Sequence, residues 1–402
     1  MKFTLNENQE KVVQAAINHY NNSSEQTFQF VGEAGTGKSV VMNEIKKRLE
    51  LKDDEVLAMA YTGQAASVMR SKGMHSAVTC HAGLFNFLQE PDIDPITGLQ
   101  RIDPQFNIPM TKIKFNPIDF SKSNIKAIFI DEAWMVPESF KKYINNTGIK
   151  VFACGDPGQL PPVGDNPAYF TTGTVHRLTE LMRQSENSPI VYLAHRARNN
   201  MKIEHGTYGN QVYVIYEDEL SDKVMNMADI VLCGRRKTRE FINNKIRHEI
   251  RNIISTTPII GERLICKKNN WDVVVEGIAM TNGLIGTVVK PPDISTYDGK
   301  VFCIDFLPDL LSIPFINLPC DYNYLNASDD MKEAIKNSRF GIGIKMDYAY
   351  ASTTHSSQGS EYSQGIYIEE FLNKDIQSAL NYTGITRFKQ RLIYVKKRPK
   401  YY

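Results

Sequence analysis

The sequence predicts a two-domain α/β protein in which each domain is built on a doubly wound sheet. Short apolar runs typical of buried strands end in acidic or glycine residues, as at 125–131 and 149–156. Segments with helical periodicity separate these runs. The chain of 402 residues is also long enough for roughly two to four domains. Strands that alternate with helices favour this fold class, in which ligands bind at the carboxyl ends of the strands.

The composition excludes several classes of protein. Hydrophobic residues make up 42% and charged residues 23% of the chain, which is ordinary globular usage and excludes a disordered, collagen-like or coiled-coil chain. No apolar run reaches the ~18 residues that a membrane span needs. The N-terminal sequence MKFTLNENQEKVV turns polar too early for a signal peptide. We therefore expect a cytoplasmic protein without a membrane partner.

The cysteines and the charge pattern are less specific. No two of the six cysteines have the C-x-x-C spacing, so reduced, partly buried thiols are favoured over a zinc site. The formal net charge is only +2, but Lys and Arg cluster at 235–251 and again at 389–400. Each basic cluster is either a solvated surface or part of a track for a polyanion such as nucleic acid.

The first part of the chain carries the elements of one α/β domain. Its predicted helices are 9–20 and 40–50, and its predicted strands are 27–31, 55–60, 125–130 and 149–154. The segment 86–120 interrupts this alternation. It is rich in Pro, Asp and Asn, and its residues 95–98 (PITG) favour a turn. We interpret the segment as an inserted arm with a β-hairpin, the alternative being a disordered loop.

Residues after 185 repeat the α/β pattern. The predicted strands are 229–233, 346–352 and 364–369, and the predicted helices are 236–252 and 375–386. Between them, the segment 261–320 changes to short β-rich runs separated by turns. The dipeptide Asn282-Gly283 is a strong hairpin signal. This change of pattern indicates a small β-barrel inserted in the second domain.

A glycine-rich loop carries the most specific chemistry. Residues 32–39 (GEAGTGKS) match the pattern G-x-x-x-x-G-K-[ST] between a strand and a helix. Glycines such as Gly35 and Gly37 let several backbone N–H groups point at one phosphate, at the positive end of the helix. Lys38 would reach the β- and γ-phosphates of a nucleoside triphosphate, and Ser39 would ligate Mg²⁺.

Two further loops follow buried strands. Asp131 and Glu132 end the 125–130 strand and lie beside the glycine loop if the two strands are neighbours. Asp131 would then hold Mg²⁺ through water, and Glu132 would polarise the attacking water. The proline-rich run 155–162 (GDPGQLPP) follows the next strand and places Gln159 to sense the γ-phosphate. The alternative for this run is a rigid turn without nucleotide contact.

Taken in order, these runs resemble the motifs of superfamily 1 helicases. The similarity is to the RecD/Dda branch, which includes the Dda-type phage helicases, and it extends over nearly the whole chain. Besides 32–39, the similar runs are 5–9 (LNENQ), 61–66 (YTGQAA), 79–81 (TCH), 131–135 (DEAWM), 155–162, 178–184 (LTELMRQ), 354–361 (THSSQGSE) and 382–387 (YTGITR). Two runs depart from the branch: Gly63 stands where proline is common, and Gly384-Ile385 where alanine-leucine is usual.

The resemblance implies two RecA-like P-loop domains, at 1–180 and 181–402, with the arm at about 86–120 and an SH3-like β-barrel at about 261–340. It implies a helicase that uses ATP and Mg²⁺, translocates on single-stranded DNA from 5′ to 3′, and unwinds duplexes at single/double-strand junctions as a monomer. It also suggests a phage-encoded protein that acts in the host cytoplasm. Two other functions stay open: a nucleotide-dependent DNA-binding switch or clamp without unwinding, and an RNA helicase.

The resemblance further implies roles for single residues of the nucleotide site. Gln9 would read adenine, Thr36 belongs to the phosphate loop, and Glu361 would contact the ribose. Arg183 and Arg387 would stabilise the charge on the transferring phosphate. If both arginines face the phosphate loop, hydrolysis requires the two domains to close, and loss of the γ-phosphate removes the reason for closure.

The same resemblance implies a DNA track across both domains. The residues that would contact phosphate or sugar are Thr62, Thr79, His81, Thr354 and His355. Aromatic side chains also bind unpaired bases by stacking. By position, Phe85, Phe87 and Trp271 are candidates for such platforms, the alternative for each being a place in the core.

Overall fold

The computed structural model describes residues 5–102, 104, 107, 109–180, 188–276, 278–292, 300–309, 311–337 and 343–398. The chain forms two compact units. The first unit comprises Met1–Leu84, Asp119–Ile242 and Ala351–Tyr402, and the second comprises Phe85–Ile118 and Asn243–Tyr350.

The helices and strands follow one another in an α/β order up to residue 180. They are α1 (Glu7–Asn22), β1 (Thr27–Gly32), α2 (Lys38–Arg48), β2 (Val56–Ala60), α3 (Gly63–Ser71), β3 (Val78–Thr79), α4 (Cys80–Leu84), β4 (Phe85–Pro91), β5 (Thr111–Pro117), β6 (Ala127–Asp131), α5 (Glu138–Asn145), β7 (Lys150–Gly155) and β8 (Val175–Leu178).

From residue 188 the elements are α6 (Pro189–Arg198), β9 (Gly206–Tyr208), β10 (Val212–Tyr216), α7 (Asp222–Met227), β11 (Val231–Cys233), α8 (Arg236–Asn244), β12 (Arg263–Cys266), β13 (Asn270–Val275), β14 (Ile278–Met280), β15 (Ile285–Lys290), β16 (Val301–Pro308), β17 (Phe315–Asp321), α9 (Tyr322–Asn326), α10 (Asp329–Asn337), β18 (Met346–Tyr348), β19 (Ala351–Thr353), β20 (Tyr362–Ile368), α11 (Gln377–Ile385) and β21 (Phe388–Lys396). A π-helical turn, Lys245–Ile250, continues α8.

The first unit contains two sheets. The first is entirely parallel, in the order β3-β2-β6-β7-β1-β8. Its central strands β2, β6, β7 and β1 are largely buried apolar runs, and fully buried Phe129 and Phe152 stack with ring centroids 4.9 Å apart. Burying a side chain of this size contributes about 1.5–3 kcal/mol. We call residues 5–84 and 119–180 the first lobe, because they carry this sheet.

The strand order corrects one expectation. The strand that ends at Asp131 is not a neighbour of the strand before the glycine loop, because β7 lies between β6 and β1. The loop after β6 still passes close to the end of β7, where Gly155 has no side chain. A Cβ on Gly155 would lie 3.1 Å from the Trp134 nitrogen and 2.9 Å from Phe170 Cε2. The glycine therefore leaves room for this loop at the end of the intervening strand.

The second sheet has the order β19-β11-β20-β21-β10-β9, and only β9 pairs antiparallel. We call residues 188–242 and 351–398 the second lobe. The basic run 389–400 largely becomes β21, an interior strand. Its charges are used locally, since Lys389 pairs with Glu361 and Arg398 with Asp218. These contacts favour the interpretation of the C-terminal cluster as a solvated surface.

The second unit is antiparallel. A five-stranded sheet has the order β17-β16-β15-β12-β18, and two strand pairs, β13-β14 and β4-β5, complete the described strands of this unit. The sheet encloses a core that includes Phe302, Phe306 and Leu318. Arg247 and Glu262, both almost fully buried, form an ion pair of 2.9 Å, and the Tyr350 hydroxyl donates to the same carboxylate.

Two sequence-based expectations for this region are wrong. Asn282-Gly283 makes a turn but not a hairpin, because β14 pairs with β13, whereas β15 pairs with β12 and β16. The Gly283 N–H donates to Cys266 O and so ties the turn to β12 instead. The segment 346–352, predicted as one strand, forms two. β18 belongs to the five-stranded antiparallel sheet, and β19 belongs to the sheet of the second lobe. Long-range pairing decided both outcomes.

All six cysteines are free thiols; Cys303 is partly exposed and the other five are buried. Among the described residues, we find no cluster of three or more His, Cys, Asp or Glu that could hold a metal ion. Within the same part of the chain, none of the helices has both the length and the apolar character needed to cross a bilayer.

Candidate functional site

One cavity of about 520 Å³ collects most of the predicted nucleotide-site residues from both lobes. The first lobe contributes the glycine loop and the ends of β6 and β7, and the second lobe contributes residues around the end of α11. The predicted residues that line the cavity are Gly35, Gly37, Lys38, Ser39, Asp131, Glu132, Gln159, Glu361 and Arg387.

The glycine loop has the backbone that a phosphate site needs. Gly35 and Gly37 have φ values of 87° and 83°, which favour glycine, and α2 begins at Lys38. Gly37 is the N-cap residue of α2, and no side chain caps this end of the helix. The positive end of the helix dipole therefore faces the cavity. Lys38 Nζ donates to Gly32 O at 2.8 Å and Glu33 O at 3.2 Å, which places the ammonium over the loop.

Gln9 lies behind the loop and does not line the cavity. Its Nε2 donates to Thr36 O at 3.0 Å, and its Oε1 accepts from the Asn6 N–H at 3.1 Å. Thr36 is also buried, and its hydroxyl donates to Glu33 O. The Gln9 amide therefore braces the loop from the first turn of α1. Its contact with adenine stays a prediction.

Asp131 and Glu132 stand at the cavity wall with different surroundings. Asp131 Oδ1 accepts from the Glu132 N–H at 2.8 Å and from Cys154 Sγ at 3.1 Å. Glu132 has a left-handed backbone, with φ of 49°. Burial and the Asp131 carboxylate raise the pKa of Glu132, against the opposing charges of Lys38 and Arg387. A carboxylate with a raised pKa is a better general base near neutral pH.

The oxygen donors at the cavity fit a magnesium ion. The Ser39 hydroxyl and the Asp131 carboxylate line the same space, and Mg²⁺ prefers such hard oxygen ligands, completing its shell with water and substrate phosphates. The two residues are therefore suited to hold the ion beside the glycine loop.

Gln159 and Arg387 meet across the two lobes. Both side chains are buried, and Arg387 Nη2 donates to Gln159 Oε1 at 3.3 Å. Arg387 also donates through Nε to Thr383 O at 3.1 Å and through Nη1 to Ser360 O at 3.3 Å. The arginine is thus held at the cavity by carbonyls of its own lobe, with its tip on the loop after β7.

Sequence reasoning missed a second contact between the lobes, centred on Asp156. This carboxylate, 1% exposed, accepts from the Gly158 N–H at 3.0 Å, from Arg198 Nη1 at 3.0 Å and from the Tyr382 hydroxyl. The Tyr382 hydroxyl in turn accepts from the Ala34 N–H of the glycine loop at 3.4 Å. Asp156 and Tyr382 stand in runs that the resemblance had marked, but no sequence signal pointed to Arg198.

Glu361 lines the cavity and forms ion pairs with two lysines, Lys72 and Lys389. Burial alone would raise the pKa of Glu361, but the charges of Lys72 and Lys389 outweigh it and hold that pKa below its ordinary value. Lys72 belongs to the first lobe and lies 3.5 Å from Glu361 Oε1. A contact of this carboxylate with ribose stays a prediction.

The predicted DNA-contact residues divide into two groups. Thr79 and Thr354 are buried, and their hydroxyls are used internally: Thr79 accepts from the Ala82 N–H and Thr354 donates to Cys233 O. As arranged, these two threonines position the backbone. Thr62, His81 and His355 are partly exposed, and burial lowers the pKa of both histidines. Both imidazoles are therefore neutral near pH 7, and contact of any of the five with DNA stays a prediction.

Several candidates cannot be placed in the site. Arg183 lies in the segment 181–187, outside the described residues, as do the side chains of Phe87 and Trp271. Phe85 is buried and packs edge-on against Phe115, with ring centroids 5.6 Å apart. Phe85 is thus a buried residue that contacts β5 in this structure.

A phosphate-binding loop at the carboxyl end of a parallel sheet, facing acids and an arginine, places the chain among the P-loop nucleoside triphosphatases. A family model described as AAA domain matches residues 4–216, which is more than half of the chain. The protein therefore belongs to this AAA-domain family.

Comparisons with individual proteins extend beyond that domain. The chain is 23% identical to the ATP-dependent DNA helicase PIF1 of Candida albicans over 330 residues, which cover 67% of this chain and 33% of that relative. The match thus spans about a third of the length of this curated relative.

Two solved structures are similar over most of both chains. One is a Pif1 helicase from Bacteroides in complex with ADP-AlF3 and single-stranded DNA, at 17% identity and a TM-score of 0.56, covering 98% of this chain and 92% of that one. The other concerns DNA unwinding at forked double-stranded DNA by two coordinating Pif1 helicases, at 18% identity with the same TM-score and coverage. At these identities the likeness shows the fold, an α/β architecture with two RecA-like domains.

Proposed function

We propose that the protein is an ATP-dependent DNA helicase that moves along single-stranded DNA from 5′ to 3′ and separates the duplex ahead of it. The observation that carries this proposal is the shared cavity, in which Arg387 of the second lobe bonds to Gln159 of the first. An ATPase site built from two lobes can turn the presence or loss of the γ-phosphate into relative motion. The similar Pif1 helicases, and the motif order of the RecD/Dda branch, support DNA as the track.

The residues of the cavity divide the chemistry of hydrolysis among them. Backbone N–H groups of the glycine loop and Lys38 bind the β- and γ-phosphates. Glu132 accepts the proton of the attacking water, and Arg387 stabilises charge that spreads over the transferring phosphoryl oxygens. A magnesium ion held by Ser39 and Asp131 would neutralise phosphate charge.

A short chain of contacts leads from this site to the predicted DNA track. Leu160, next to Gln159, accepts from Gln358 Nε2 at 2.9 Å, and its N–H donates to Thr383 Oγ1 at 2.9 Å. The Thr62 hydroxyl donates to Gln358 O at 3.4 Å. Leu160 and Gln358 therefore link Gln159 to Thr62, so a movement of Gln159 during the ATP cycle would reach the predicted DNA track through two intervening residues.

We further propose that β4 and β5 form an arm that meets the junction, that the antiparallel sheet of the second unit is an SH3-like barrel, and that one chain suffices for movement. The segment between β4 and β5 exposes large apolar side chains at its tip, with Ile96 93% and Leu99 70% exposed. Exposed apolar side chains of this kind mark interaction sites, and here they are suited to pack against the end of a duplex.

Strand displacement on tailed duplexes tests the proposal. With ATP, the wild-type protein should unwind a DNA duplex with a 5′ single-stranded tail and leave a 3′-tailed duplex intact, at a rate per enzyme that is independent of protein concentration. Lys38→Ala is the matched control and should unwind neither substrate.

Three other results would overturn it. ATPase stimulation by single-stranded DNA without displacement would identify a switch or clamp. Displacement only from RNA-tailed duplexes would identify an RNA helicase, and activity on the 3′ tail would reverse the polarity.

A further inference from the structure

We propose that Phe140 is a stacking platform for one unpaired nucleobase, its ring oriented by Tyr61 and His81. The inference rests on the proposed function, because it names a contact for the same DNA strand. It assigns a ligand to a residue that lies in none of the helicase-like runs.

The three rings come together at one edge of the first sheet. Tyr61 follows β2, His81 lies on α4 directly after β3, and Phe140 lies in the first turn of α5, beyond β6. The strands β3, β2 and β6 are consecutive neighbours in the sheet and run parallel. Their carboxyl ends therefore bring three distant sequence segments to the same place, beside Thr62.

The ring geometry fixes the orientation of Phe140. Its centroid lies 4.7 Å from that of His81 at an interplanar angle of 78°, and 5.9 Å from that of Tyr61 at 85°. The ring centroids of Tyr61 and His81 lie 5.9 Å apart. Two edge-to-face contacts hold an aromatic ring more firmly than aliphatic packing does. All three side chains remain partly exposed, so the cluster forms part of the surface.

The three aromatic rings of the cluster suit a nucleobase as ligand. Burial lowers the pKa of His81, so its imidazole is uncharged near pH 7. Near pH 7 His81 therefore brings no positive charge to the cluster, and its ring extends the aromatic surface around Phe140. Unpaired bases stack on such aromatic faces regardless of sequence, because every base has a π-face. A translocating protein needs contacts of this sequence-independent kind.

Fluorescence anisotropy with labelled oligodeoxythymidylate tests the assignment. One series of oligonucleotides carries a single abasic site, moved one position at a time along the strand. The variants are Phe140→Leu, which keeps an apolar side chain without the ring, and Phe140→Tyr, which keeps the ring. Tyr143→Leu is the matched control, since Tyr143 lies on the same helix with its ring under Lys142 Nζ.

Wild-type protein should bind less tightly when the abasic site occupies one particular position. Phe140→Leu should weaken binding of the intact strand by about 5- to 150-fold, the range for loss of one stacked base, and should no longer respond to that abasic position. Phe140→Tyr and Tyr143→Leu should bind as the wild type does.

The assignment is overturned if Phe140→Leu binds the intact strand normally, or if it weakens intact and abasic strands by the same factor at every position. The second result would mean that Phe140 only supports the fold. If the wild-type protein binds no single-stranded DNA at all, the proposed function itself fails, and this outcome is distinct from the other two.

Discussion

Replacing Arg198 by alanine should weaken the contact between the two lobes while leaving in place the groups that we propose bind and cleave ATP. Arg198 Nη1 lies 3.0 Å from Asp156 Oδ1 and 3.4 Å from Glu33 Oε1. The variant would keep the Asp156 carboxylate, 1% exposed, with the Gly158 N–H and the Tyr382 hydroxyl as its remaining described donors.

The expected cost follows from the burial of the two partners. Removing one partner of a fully buried ion pair costs about 3–5 kcal/mol. The Arg198 side chain is 26% exposed, so water reaches the carboxylate once the guanidinium is gone. A hydrogen bond to a charged group, about 1.5–3 kcal/mol, is therefore the better guide. A loss of this size lowers the melting temperature by roughly 3–12 °C in a unit of some 150–250 residues.

Thermal unfolding followed by circular dichroism, without nucleotide, measures this shift. Arg196→Ala is the matched control: Arg196 lies on the same helix but donates to Lys202 O and the Tyr192 hydroxyl, away from Asp156. Its melting temperature should fall by much less. The double variant Arg198→Ala/Asp156→Asn should lose less stability than the sum of the two single variants, because each removes the same interaction. Equal melting temperatures for Arg198→Ala and Arg196→Ala, or strict additivity in the double variant, would refute the reasoning.

Four further outcomes follow from the site. Glu132→Gln should bind ATP but stop turnover, because an amide cannot take the proton from water; equilibrium binding and single-turnover hydrolysis check this. Since burial and Asp131 raise the pKa of Glu132, and the base is active only above its pKa, wild-type kcat/KM for ATP should begin to fall at a higher pH than an ordinary glutamate would give; a pH–rate profile measures it. Arg387→Ala should keep nucleotide affinity within a few-fold and lose most DNA-stimulated turnover, measured with and without oligonucleotide. Replacing 92–102 by a short glycine-serine link should preserve DNA-stimulated ATPase and sharply reduce strand displacement, because movement would no longer be converted into base-pair separation.

Each of these expectations has a result that contradicts it. If Glu132→Gln hydrolysed ATP at the wild-type rate, Glu132 would not be the general base. If the pH profile fell only near the ordinary glutamate pKa, the pKa of Glu132 would not be raised. Loss of ATP binding in Arg387→Ala would indicate a structural role for this arginine. If the variant with 92–102 replaced still unwound DNA and melted as the wild type does, the segment between β4 and β5 would not be the part that separates the base pairs.

Local sequence predicted the parts of the fold that depend on neighbouring residues. The buried strands at 27–31, 55–60, 125–130 and 149–154 were recognisable because both faces of a parallel sheet are covered and the runs are continuously apolar. The glycine loop was recognisable for a similar reason, since its backbone shape requires glycine at fixed spacing. The glycine loop and the loops after β6 and β7 line one cavity.

Features set by long-range pairing were not predictable in the same way. No local pattern in the sequence indicates that β7 lies between β1 and β6, or that the lysine-rich segment near the C-terminus forms β21, an interior strand of the second sheet. The role of Arg198 was unpredictable for the same reason, because its ion-pair partner Asp156 lies 42 residues earlier in the chain. Phe140 likewise gains its neighbours only when three strands align. A single sequence shows such residues as ordinary surface arginines and aromatics.

The distribution of the thiols makes the protein suitable for site-specific labelling without removal of any cysteine. Burial raises the pKa of Cys80, Cys233 and Cys266 to about 12, and it raises the pKa of Cys154 and Cys320 well above the usual value. Thiolate is the reactive form, so these five groups are nearly inert to maleimide at neutral pH. Cys303, on an outward-facing position of β16, is the partly exposed one. A dye attached there would report on the second unit while the nucleotide cavity of the first stays unmodified.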